Sequence, residues 1–225
     1  MSLERPLFHR LSLLVAIDDE TPRFTRKRKH GGGAAQAAEE PVVPQTLFYS
    51  TCTGTVGDDL STNVPEIGAA FVHGATNWTI RVAGDQMARC DLADTVARFE
   101  GASAVLLSAD VLRNSGATSV AGLVARRLDG SNQLIATISA TAISIYEEVA
   151  GVVLLRATTV HAYTVAVEYA MTLTITAADE ATAAADGETV TYAGILNAGA
   201  ATCGLYGDGL TVSSRFDEVT ATEEL

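Results

Sequence analysis

Lysine is almost missing from this chain: Lys27 and Lys29 are the two it contains among 225 residues, and the formal net charge is −12. An anionic surface is repelled by phosphate and gains nothing from counterion release, so the body of the protein is not expected to bind nucleic acid. Aromatic residues are also scarce, at 6%, while Ala, Val, Thr and Gly abound. That balance favours strands and turns over long helices. No run of about 18 uninterrupted apolar residues exists, so no helix is expected to span a membrane. The apolar segment 7–17, LFHRLSLLVAI, is broken by His9 and Arg10 and followed by DDE where a signal peptide would place small residues. The chain is therefore read as unprocessed and soluble. Three cysteines, Cys52, Cys90 and Cys203, lie far apart with no C-x-x-C, which argues against a zinc or thioredoxin-like site. They read as small, half-buried thiols, and the sequence leaves their disulfide state open.

Charge is unevenly placed. Residues 1–46 hold seven Lys/Arg and six Asp/Glu, whereas residues 47–225 hold eight Arg and 21 Asp/Glu. Within the first part, Arg23, Arg26, Lys27, Arg28 and Lys29 cluster just before Gly31–Gly33. Pro41 and Pro44 favour extended backbone, and the glycines give flexibility. The expected organisation is an N-terminal arm and linker over 1–46, with an anchor over 1–30 and a spacer over 31–46, followed by a β domain over 47–225. The anchor would use the apolar residues Leu7, Phe8, Leu11, Leu14 and Ile17 and the basic cluster. Too many apolar groups stand together there for a free tail.

From Leu47 onward, alternating or β-branched segments recur between turn signals. ASAVLLSADVL (102–112) places Val105, Leu107, Ala109 and Val111 on one face. SVAGLVARRL (119–128) is predicted to pair with NQLIATIS (132–139) across Asp129-Gly130, and AISIYEEV (142–149) with VVLLRAT (152–158) across Ala150-Gly151. Further strands are expected at 162–169, 171–177, 188–195, 201–206 and 213–220. Ten or so strands with hardly a helical window imply an all-β, antiparallel β-sandwich or jelly roll carrying an extended N-terminal arm.

The order of these segments carries a resemblance. The stretch FYSTCTGTVGDDLSTNVPEIGAAFVHGATNWTIRVAGDQMAR (48–89) resembles the opening of concanavalin A-like, laminin-G-like jelly rolls of the kind found in tailed-bacteriophage virion proteins. The matching positions are Phe48, Thr53-Gly54, Asp58-Asp59, Leu60-Ser61, Pro65 and Trp78. GLVARRLDGSNQLIATIS resembles that family's GL-x-x-R strand, turn and following strand, and SRFDEVTA resembles its closing strand. The resemblance covers about 47–221 and implies that the first and last strands pair, with Phe48 near Phe216. Many relatives hold calcium between an acid of the first strand and an Asp of the last. Here Ser50 and Thr51 are not acidic, so Asp217 has lost that partner and no metal or cofactor is expected.

No active site is apparent. Glu147 and Glu148 are adjacent on one predicted strand and so point to opposite faces; both read as solvated, as does Glu168. His9, His30, His73 and His161 share no triad or metal spacing, and neither G-x-S-x-G nor a P-loop occurs. Trp78 reads as core. The expectation is a non-enzymatic virion accessory protein, a capsid decoration or tail appendage. Its arm would join major capsid or tail proteins, and its lectin-like jelly roll would be displayed in many copies or as a homo-oligomer at the virion surface, without nucleic acid or membrane. The alternative is a carbohydrate-binding adhesin that recognises a cell-surface glycan.

Overall fold

Alternation of apolar and polar residues becomes alternation of burial wherever two sheets stack. In Val105–Leu112 the residues Val105, Leu107, Ala109 and Val111 are all buried, as their spacing requires. The computed structural model describes residues 42–224 apart from 56, 74–77, 82–86, 91–94, 114–118, 198 and 209–213. The expected anchor and most of the spacer lie outside the described residues.

The strands in chain order are β1 (Thr46–Ser50), β2 (Trp78–Arg81), β3 (Met87–Cys90), β4 (Thr95–Glu100), β5 (Val105–Leu112), β6 (Val120–Asp129) and β7 (Asn132–Ile138). They continue as β8 (Ala142–Val149), β9 (Val152–Val160), β10 (Glu168–Ile175), β11 (Glu180–Ala185), β12 (Glu188–Ala193), β13 (Thr202–Asp208) and β14 (Arg215–Glu223). Among the described residues the one helical element is a 3-10 turn, Leu60–Thr62, capped by the Asp59 carboxylate on Ser61 N.

Two antiparallel sheets form. The eight-stranded sheet runs β12-β11-β10-β5-β14-β3-β2, with β1 also paired to β14; the six-stranded sheet runs β4-β13-β6-β7-β8-β9. The hairpins β6–β7 and β8–β9 form as expected. First and last strands pair, but the register sets Phe48 against Ala221. Phe48 instead stacks on Phe99 at 4.0 Å and meets Phe71 edge-on at 5.0 Å, while Phe216 packs on Trp78 at 5.5 Å. Trp78 is core, fully buried.

Three expectations need correction. Residues 162–167 are not strand. Arg113, buried within the fold, donates to Tyr163 O at 2.6 Å, and its own carbonyl accepts from Ala166 N at 2.7 Å. Ala166 then turns at φ 56°, leaving Val165 and Val167 exposed. The run EATAAA, by contrast, is strand β11, joined to β12 through Asp186-Gly187 with both residues at positive φ. Finally, Glu147 is not solvated: in phase with Ile143 and Ile145, it faces the space between the sheets and is 0% exposed.

Candidate functional site

The outer face of the six-stranded sheet carries a second apolar cluster, separate from the inter-sheet core. Val124, Ile135 and Tyr206 form it, with Val96, Val120 and Tyr146 packed against them. Strand parity explains the cluster. In β7, Leu134, Ala136 and Ile138 point inward, so Ile135 and Thr137 point out; in β8, Ile143 and Ile145 point inward, so Tyr146 and Glu148 point out. Register then brings these outward residues together. One row runs Gly204, Val124, Ile135, Tyr146, Leu155, and the next runs Tyr206, Gly122, Thr137, Ser144.

Gly122 and Gly204 lower the floor between the side chains. A Cβ on Gly204 would lie 2.5 Å from Ala97 O, and one on Gly122 would collide with Ala136 O. The result is a groove of about 270 Å³ lined by Val120, Ile135, Thr137, Tyr146, Glu148, Val153 and Tyr206. Its wall is apolar and aromatic, with a carboxylate and a hydroxyl at hand.

A polar chain closes one end. Gln133 Nε2 donates to Glu148 Oε2 at 2.8 Å, and Arg127 Nη1 donates to Gln133 Oε1. Burial lowers the Arg127 guanidinium pKa, and the nearby Arg98 charge lowers it further. The Arg127 Nε–H is buried without a hydrogen-bond partner among the described residues. Among the described residues one carboxylate, Glu148, lines the groove, and its Oε2 is already engaged.

Other singled-out residues are dispersed. His73 Nε2 lies 3.0 Å from Asp59 Oδ1, and the Ser61 hydroxyl donates to that same oxygen at 2.5 Å; the Ser61 bond comes first among the causes that hold the Asp59 carboxyl below its usual range. His161 meets Asp186 at 3.0 Å. Ser50 is buried and donates to Asn63 Oδ1 at 3.0 Å, while Asp217 lies opposite Asp110 on the far sheet. Among the described residues no three His, Cys, Asp or Glu side chains gather as a metal site would need. Cys52 is buried, and Cys203 is a buried free thiol. The arginine of the GL-x-x-R segment, Arg126, is buried at φ 50° and paired with Asp179 at 2.9 Å. The proposed anchor residues, Leu7 to Lys29, lie outside the described residues.

The tyrosines of the groove were not singled out from the sequence. Their outward parity is legible in AISIYEEV and ATCGLY, but their adjacency depends on β13 pairing with β6, a non-sequential neighbour.

No family model and no curated protein matches the chain. Among solved structures, the carbohydrate-binding module CBM66 from Bacillus subtilis is similar with a TM-score of 0.55 and 14% identity, covering 68% of this chain and 95% of that one. The binding domain of botulinum neurotoxin DC, solved in complex with SialylT, is similar with a TM-score of 0.52 and 7% identity, covering 80% of this chain. This chain spans about half, 48%, of the length of that domain. At these identities the likeness concerns the fold, and together with the two antiparallel sheets it establishes that this chain has a jelly-roll β-sandwich of the concanavalin A-like type.

Proposed function

We propose that the protein binds carbohydrate, without catalysing its cleavage, in the groove on the outer face of the six-stranded sheet. The observation that carries the reading is the groove itself: Tyr146 and Tyr206 set among Val120, Ile135 and Val153, with Thr137 and Glu148 at hand. A sugar ring has C–H faces that rest on aromatic and aliphatic surface, and hydroxyls that need acceptors and donors beside it. At about 270 Å³ the groove falls just below the range of roughly 300–1,000 Å³ that holds drug-sized ligands, so it suits one or two sugar units. The similarity in fold to a module named for carbohydrate binding supports the same reading. Hydrolysis through acid–base carboxylates needs two of them flanking the bond, whereas among the described residues Glu148 is the one carboxylate lining this groove.

The test is a glycan array on the full chain, followed by calorimetry on the best ligand. Tyr146→Ala and Glu148→Gln are each expected to weaken binding at least tenfold, about 1.4 kcal/mol. Undiminished binding by both variants removes the groove from the reading. Release of reducing ends from a polysaccharide, abolished by Glu148→Gln, overturns the non-catalytic part.

The place of display is proposed from composition alone. The apolar segment 7–17 and the basic run 23–29, in a chain otherwise so acidic, suit an anchor onto virion capsid or tail proteins. A chain lacking residues 1–30 that still joins its particle would dispose of that anchor.

A further inference from the structure

The strand paths of the two sheets have four ends, and three of these edges are covered or polar. Beside β2, Gly57 N donates to Ile80 O and Ile80 N donates to Asp58 O, each at 2.8 Å. Beside β4, Val72 and Arg98 exchange both backbone hydrogen bonds, at 2.8 and 2.9 Å. At β12 the exposed residues include Thr189 and Thr191, and Thr189 O accepts from the Thr159 hydroxyl at 3.1 Å.

The fourth, β9, is different. It pairs with β8 on one side; among the described residues no backbone–backbone hydrogen bond covers its other side, and its tie to β12 runs through the Thr159 hydroxyl near its far end. Four apolar residues follow one another along it and are open to solvent: Val152 at 57%, Val153 at 57%, Leu154 at 38% and Leu155 at 55%. Because neighbouring residues face opposite ways, both faces of this edge are apolar. Edge strands that meet water carry charges, prolines or coverings that prevent pairing. The single charge of β9, Arg156, is turned back onto Glu147 at 2.9 Å and does not guard the edge; the β8–β9 register shifts at Arg156, so the regular apolar run ends at Leu155.

We propose that β9 pairs antiparallel with β9 of a second copy of this chain, joining two six-stranded sheets into one. Charge bears on the place: two chains of net charge −12 repel each other, and β9 contributes no carboxylate to that repulsion. What selects a second copy is that the strand is self-complementary. A two-fold axis through Leu154 sets Leu154 against its own mate and Val153 against Leu155 of the other copy, so every directly opposed pair in the centre is apolar and on the same face. Val153 also lines the groove, so the pairing brings two grooves side by side on one continuous surface.

The full chain is examined by sedimentation velocity from low to high micromolar concentration. A dimer is expected, and Leu154→Lys, which sets two ammonium groups against each other on the axis, should raise its dissociation constant about thirtyfold or more. Leu154→Cys should form a disulfide-linked dimer under mild oxidation, since directly opposed Cα atoms stand about 4.5–5.5 Å apart, within disulfide reach. Val160→Cys, which is 85% exposed on the same strand but six positions from the axis, should not. The crosslink decides the matter even where Leu154→Lys fails to fold. A wild-type chain that stays monomeric throughout, as it would if a different protein covered this edge, overturns the proposal. So does an oligomer indifferent to Leu154→Lys, or equal crosslinking through positions 154 and 160.

Discussion

Replacing Glu147 by Gln should destabilise the sandwich by about 2–3 kcal/mol, although the change removes no volume. The carboxylate is 0% exposed. Its Oε2 accepts from Arg156 Nε at 3.0 Å, Arg156 Nη2 at 2.9 Å and the Tyr192 hydroxyl at 3.2 Å; its Oε1 accepts from Leu196 N at 2.6 Å. Four donors thus converge on two acceptor atoms, from β9, β12 and the segment after β12. An amide offers one acceptor and one NH₂. If the amide oxygen keeps Leu196 N, the NH₂ faces the Arg156 and Tyr192 donors; if it flips, Leu196 N is orphaned. Arg156 also loses its counter-charge. Breaking a buried pair from one side costs about 3–5 kcal/mol. The Arg156 side chain is 24% exposed, so water recovers part of that cost.

Urea unfolding is the assay. With a slope of about 2–3 kcal/mol/M, the midpoint should fall by about 1 M at unchanged slope. Hydrogen exchange adds a local readout, since the Leu196 amide should lose protection. The double variant Glu147→Leu/Arg156→Leu should cost less than the two single changes summed, by about 1 kcal/mol or more, because it buries no unpaired charge. An unfolding free energy within about 0.5 kcal/mol of wild type for Glu147→Gln, or strict additivity in the double variant, would refute the account.

Cys203 is 0% exposed, and burial pushes its thiol up to about 12, so it should resist alkylation at pH 8 in the folded protein and react once urea unfolds it; peptide mapping separates it from the other cysteines. On the outer face of the larger sheet, the Asp110 carboxyl is raised above its ordinary value, first by burial and then by the Glu218 charge. A raised acid contributes stability that is fully present below its unfolded pKa of about 3.9 and lost as pH rises through the folded value. Asp110→Asn should therefore stabilise the protein at pH 7 and give no such gain near pH 3, a contrast that melting curves at the two pH values will show. Gly122→Ala should cost about 3 kcal/mol or more in urea unfolding, because the added Cβ collides with Ala136 O in the neighbouring strand.

Pairing of local segments was the most legible part of the fold, because a hairpin needs only two alternating runs and a tight turn between them. Asp129-Gly130 and Ala150-Gly151 marked the turns, the second with both residues at positive φ, and β6–β7 and β8–β9 followed. Strand β11 escaped notice because alanine has little preference for strands; its packing against β10 and β12 makes it one. The segment 162–167 misled in the opposite sense. Its alternation is sound, but the buried Arg113, distant in sequence, holds that backbone in another path.

Glu147 shows where sequence reading stopped short with the signal present. Its spacing from Ile143 and Ile145 placed it on the inward face, and a lone acid in phase with core residues demands partners. Those partners could not be named, since Tyr192 and Leu196 come from the opposite sheet and a later loop. The groove has the same logic on the other face. Tyr146 and Tyr206 were each predictable as outward, but a platform exists only because β13 crosses to lie beside β6 and two glycines leave room between them. Parity therefore tells which side of a sheet a residue takes, and strand order decides what it meets there. In this protein the outer face of the smaller sheet owes its shape to order. It gathers aromatic and apolar side chains that alternation alone would have left scattered, and it extends to an edge, β9, whose own alternation has been replaced by apolar residues on both sides. The groove proposed for carbohydrate and the edge proposed for pairing therefore lie on the same sheet, and both depart from the polar pattern of a solvated face.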